Sequence, residues 1–101
     1  MSAKGTSFNE YLMEKLKDPE LACHFISEAM QEHDPEYLKV ALGEIVKAYG
    51  VGYISDQTGI GRQTIYKMLS EKGNPTHRNL VAILDALGLE LMVRPKKSLA
   101  S

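Results

Sequence analysis

The sequence predicts an all-α fold: a bundle of five to six helices that ends in one short C-terminal β-strand. Three observations predict it. Helix-start signals recur along the chain, apolar residues return between them at steps of three to five, and a period-two pattern appears only near the end. The 101 residues fit one domain, 1–101, and an apolar content of 44% is enough for a single aliphatic core without metal or disulfide help.

Taken in order, Ser7-Phe8-Asn9-Glu10 has capping-box spacing, in which the Ser hydroxyl and the Glu carboxylate each satisfy a free backbone N–H; it predicts a first helix to about Lys17. Asp18-Pro19-Glu20 puts a capping carboxylate before a proline at the first helical position, where the missing N–H costs nothing. The second helix should run from Pro19 to about Glu32, with Leu21, Ala22, Phe25, Ile26, Ala29 and Met30 as its core stripe. Asp34-Pro35-Glu36 repeats the start signal, and Tyr37, Leu38, Ala41, Leu42, Ile45, Val46 and Tyr49 carry a third helix to Gly50. Glycines then confine a fourth helix to about Tyr53–Thr58, and a fifth fits Arg62–Leu69. After Gly73-Asn74-Pro75, Thr76 caps a last helix through Leu87, with Gly88 as its left-handed stop. Leu89-Glu90-Leu91-Met92-Val93-Arg94 alternates in part and ends at Pro95, which predicts the strand, 89–94.

Composition narrows the functional classes. The single Cys23 cannot form an internal disulfide, and no signal peptide or apolar run of about 18 residues is present, so the expected location is the cytoplasm. Cys23, His24 and His33 fit no usual zinc spacing, and Cys23 is expected to be an inert small residue at the edge of the second helix's stripe. His77 has no nucleophile beside it, so neither a catalytic apparatus, a metal nor a cofactor is expected. The net charge of −1 conceals a division: residues 1–60 sum to −5 and residues 61–101 to +4. A polyanion would meet the second part.

The segment Val51 to Leu69 has the layout of two short helices meeting at a tight turn, a helix-turn-helix. Ile54, Ile60, Ile65 and Met68 supply the contacts between them, small Ser55 allows close approach, and Gly59 can adopt the left-handed turn. That leaves Arg62, Gln63, Tyr66 and Lys67 on the outer face of the second helix, positioned to enter a major groove. Gln63 matches the donor and acceptor edge of adenine. Arg62 suits guanine or a phosphate, and Thr64 a hydroxyl contact or a thymine methyl. Tyr66 and Lys67, a turn further on, are expected to meet the DNA backbone, and Gly61 takes the N-cap place without a side chain to obstruct it. Thr76, Arg78 and Lys72 complete the candidate DNA-binding set as a phosphate clamp at the start of the last helix.

Gly59-Ile60-Gly61-Arg62-Gln63-Thr64-Ile65-Tyr66-Lys67-Met68-Leu69-Ser70, Gly73-Asn74-Pro75-Thr76 and Ala86-Leu87-Gly88-Leu89 resemble the addiction-module antidote proteins, HigA-like antitoxins with a helix-turn-helix of the Cro and phage-repressor type. The resemblance takes in Phe8, Tyr11-Leu12, Leu16, Asp18-Pro19-Glu20 and Asp34-Pro35, nearly the whole chain, and departs at Gly61, where that family more often has Ser. It implies a five-helix domain, dimeric binding to the promoter of its own operon as a repressor, and a small toxin partner of the RelE or ParE type. On that reading residues 1–50 face the toxin through Glu10, Glu14, Asp18, Glu20 and Glu28, and 51–88 read double-stranded operator DNA. The strand is expected to pair with its copy in a homodimer through Leu89, Leu91 and Val93, or with an edge of a partner protein, or to fold back onto its own subunit. Two other readings stand beside it: a stand-alone phage-type transcriptional regulator, and a helical protein-interaction module that binds no DNA.

Overall fold

A computed structural model describes residues 10–96. Among these residues there are six helices and no strand: α1 (residues 10–15), α2 (Pro19–Gln31), α3 (Pro35–Tyr49), α4 (Val51–Thr58), α5 (Arg62–Met68) and α6 (His77–Ala86). Ser7, Phe8 and Asn9 of the predicted capping box lie outside the described residues. The next two starts are as expected: Asp18 Oδ1 accepts from the Glu20 N–H at 3.1 Å and Asp34 Oδ1 from the Glu36 N–H at 3.0 Å, each ahead of its proline. Thr76 Oγ1 likewise accepts from Asn79 N–H at 3.1 Å to open α6.

Helix α2 packs on α3, α3 on α4, and α4 on both α5 and α6. The core at their junction holds Leu16, Ala22, Ile26, Leu42, Ile45, Val46, Ile54, Ile65, Met68, Ile83, Leu84 and Leu87. Of the predicted α2 stripe, Ala22 and Ile26 are buried, while Leu21 and Met30 lie at its exposed margins. Cys23 is exposed rather than buried, because the residue beside it, Ala22, takes the inward position. A further tie joins the turn after α1 to α3: Tyr49 Oη donates to the Lys17 carbonyl at 2.9 Å, and its ring stacks on Tyr53 with centroids 5.8 Å apart. Burial, then the neighbouring Tyr53 and Asp18, push the Tyr49 phenol above its ordinary pKa, so it stays a donor.

The predicted C-terminal strand is absent. Gly88 (φ +79°) closes α6 in a left-handed stop, in which its N–H donates to Asp85 O at 3.0 Å and the Leu89 N–H to Leu84 O at 2.8 Å. That second bond takes the first donor the strand would have needed and turns Leu89 against the core. Residues 90–96 run on without a ladder partner, and a period-two pattern alone makes no sheet hydrogen bonds. Helix α4 also begins earlier than the glycines suggested, at Val51, because Gly50 (φ +94°) alone makes the joint between α3 and α4.

Candidate nucleic-acid interface

Helices α4 and α5 meet at Gly59, whose φ of +79° provides the reversal that the sequence assigned to it. Two hydroxyls fix the turn. Ser55 Oγ donates to the Ile60 carbonyl at 2.6 Å, so this residue bonds across the turn as well as being small. Thr58 Oγ1 donates to Ile54 O at 2.7 Å and accepts from the Ile60 N–H at 3.1 Å, a role the sequence reading missed. Ile54, Ile65 and Met68 are buried and Ile60 packs against them, which sets which face of α5 turns inward.

The outward face follows from that. Gly61, Arg62, Gln63, Thr64, Tyr66 and Lys67 are all exposed, as are Lys72, Thr76 and Arg78 in the segment that follows. Between Gly61 and Arg78 there are four Lys or Arg against one acid, Glu71. The face is therefore cationic, polar and short. The Arg62 guanidinium leans over the first turn of α4, so close that a Cβ on Gly52 would stand 2.8 Å from its Nη2. Gly52 thus makes room for the arginine, a contact between residues ten apart that no local pattern announces.

Gly61 occupies the N-cap of α5 at φ −63°, ψ 148°, with no side-chain bond to the helix and open space where a Cβ would be. Serine fits that backbone. Gly61→Ser is expected to raise the unfolding free energy by roughly a few tenths of a kcal/mol, read as a higher urea midpoint at unchanged m-value.

What holds the segment after α5 is a residue outside every predicted set. Lys39 of α3 is only 5% exposed, and its Nζ donates to the carbonyls of Ser70 at 2.8 Å, Glu71 at 2.8 Å and Gly73 at 3.0 Å. Glu36 Oε2, one turn earlier, lies 3.2 Å from the same ammonium. All three protons of the ammonium are used, which is how a lysine is kept inside without an unpaired charge. One signal was present: Lys39 stands three and seven residues before the buried Leu42 and Val46, on the inward stripe of α3. Gly73 approaches the end of α5 so closely that a Cβ there would overlap the Lys67 carbonyl oxygen.

The candidate dimerisation residues divide. Leu89 packs against its own core, whereas Leu91 is 39% and Val93 94% exposed. Among the described residues no group of three or more His, Cys, Asp or Glu is arranged to hold a metal ion.

Among the described residues, six helices around an aliphatic core, one of them short and exposing a cationic side, define a small all-helical domain. A family model described as "Probable addiction module antidote protein" matches residues 6–95. The chain belongs to that family. It is also 33% identical over 95 residues to an uncharacterized protein of Haemophilus influenzae, covering 85% of this chain and 98% of that protein. No solved structure matches it at a significant level. An antidote of an addiction module has a toxin as its counterpart, so the family assigns this chain an antitoxin role and a cognate toxin partner. No helix among the described residues is long and apolar enough to cross a membrane.

Proposed function

We propose that this protein is a cytoplasmic, non-catalytic antitoxin of the HigA-like kind that represses its own operon by binding operator DNA and neutralises a small toxin of the RelE or ParE type. Helices α4 and α5 form its helix-turn-helix, related to those of Cro and the phage repressors, with α5 in the major groove. The observation that carries this reading is the division of α5: Ile65 and Met68 are buried while Arg62, Gln63, Thr64, Tyr66 and Lys67 are exposed, with no acid on the helix. Gln63 and Arg62 read base edges, and Thr64 adds a hydroxyl or methyl contact. Tyr66, Lys67, Lys72, Arg78 and the Thr76-capped start of α6 hold phosphates, with Gly61 letting the backbone approach. Two copies, joined through the exposed Leu91 and Val93 with Leu89 behind them, present two α5 helices about 34 Å apart to an inverted repeat.

The test is fluorescence anisotropy on the upstream promoter across a salt series. Binding should weaken steeply as salt rises, and Lys67→Ala should flatten the slope of log K against log salt by about one unit. Gln63→Ala should cost about 1 to 3 kcal/mol on the operator and little on random DNA. Equal losses on both sequences would remove Gln63 from base reading; no binding at low salt would remove the DNA role altogether.

A further inference from the structure

The acidic half of the chain contains a surface that the DNA-binding reading leaves unused. From Asp18 to Leu38 there are six carboxylates and no Lys or Arg. The next cation in sequence, Lys39, is turned inward onto the Ser70, Glu71 and Gly73 carbonyls and lies 3.2 Å from Glu36, so it offsets that one carboxylate and leaves the other five. Inside this acidic region a groove runs between α2 and α3, lined in part by Phe25, Ala29, Tyr37 and Val40 together with Glu28 and Glu32, with His24 Nε2 3.5 Å from the Glu28 carboxylate. Val40 is 60% and Tyr37 53% exposed. They lie three residues apart on α3, hence on one face, and a β-branched aliphatic left in water in mid-helix gains nothing for the isolated chain.

We propose that this groove is where the toxin docks, and that the segment it accepts is a basic amphipathic helix. Such a helix lays its apolar side chains on Phe25, Ala29, Tyr37 and Val40 and sets Lys or Arg opposite Glu28 and Glu32. The proposal rests on the antitoxin reading and adds to it the surface and the chemistry of the partner. Charge selects the occupant. A second copy of this chain offering the same face would bring carboxylates onto carboxylates, and nucleic acid would meet the same repulsion, whereas a cationic protein is drawn in.

The experiment co-expresses the full chain with the small protein encoded by the neighbouring reading frame and measures their affinity by titration calorimetry. Variants are Val40→Glu, Tyr37→Ala and the double reversal Glu28→Lys/Glu32→Lys, with Val81→Glu on α6, 38% exposed, as the change outside the groove; each is first checked for a native melting curve. Tyr37→Ala and Val40→Glu are expected to weaken binding by about tenfold or more. The double reversal should weaken it and also lower its dependence on salt, while Val81→Glu binds as wild type does. Groove variants that bind like wild type, or that change only the oligomeric state of the chain, overturn the proposal. A wild-type chain that does not bind the neighbouring product overturns the antitoxin reading first and the docking site with it, so the two failures are told apart by the wild-type arm.

Discussion

Lys39→Met is expected to lower the unfolding free energy by about 2 to 4 kcal/mol. The substitution keeps the length and apolar character of the stem and removes only the ammonium, so three carbonyls, those of Ser70, Glu71 and Gly73, lose their charge-assisted donor together. Water reaches the exposed Ser70 and Glu71 and recovers part of the loss, which holds the cost below that of a fully enclosed site. Lys39→Arg is expected to rescue little, because a planar fork cannot converge on three carbonyls as a tetrahedral ammonium does. Urea denaturation of the wild type and both variants measures this, and a methionine variant within about 0.5 kcal/mol of wild type would show that the loop needs no internal donor. If α5 and the start of α6 meet DNA together, operator affinity falls with the loop that sets their spacing.

Gly73→Ala comes second, at about 3 kcal/mol, the upper end of what overpacking usually costs. The added Cβ would overlap the Lys67 carbonyl oxygen and stand 3.0 Å from the carbonyl carbons of Lys67 and Met68. All three are backbone atoms at the end of α5, so no side-chain rotation relieves the contact; the helix end or the loop must move. A crystal structure or amide exchange of the variant would locate the shift in residues 67–73. An unchanged stability with an unshifted Lys67 would contradict the close approach. Gly73 was read from the sequence as part of a chain break, which explains a glycine there but not why alanine would fail.

The parts of the fold that were legible are those encoded within four or five residues. Asp18, Asp34 and Thr76 cap the helices they were expected to cap, and Gly59 and Gly88 take positive φ where helices had to stop, because each signal and its partner lie in one turn of chain. The outward set on α5 was legible for the same reason: burial of Ile65 and Met68 fixes the rest of a seven-residue helix. The strand was not, since alternation at 89–94 states which side chains share a face but says nothing about a partner for the backbone, and Leu89 was already committed to ending α6. Lys39 was missed because its acceptors are carbonyls 31, 32 and 34 residues away, and a backbone oxygen has no letter in the sequence. Gly52 under Arg62 belongs to the same class of contact.

The packing order α2 on α3, α3 on α4 and α4 on α5 puts the carboxylate-rich α2 and the Arg62-bearing α5 at opposite ends of a series of helix contacts. A molecule so built is a permanent electric dipole that nearly cancels as a monopole. Near a polyanion it feels a torque before it feels much net pull, so it turns its α5 end inward while still several ångströms away. At low ionic strength the same asymmetry favours stacking of one molecule's tail on the next one's head, and added salt dissolves such chains.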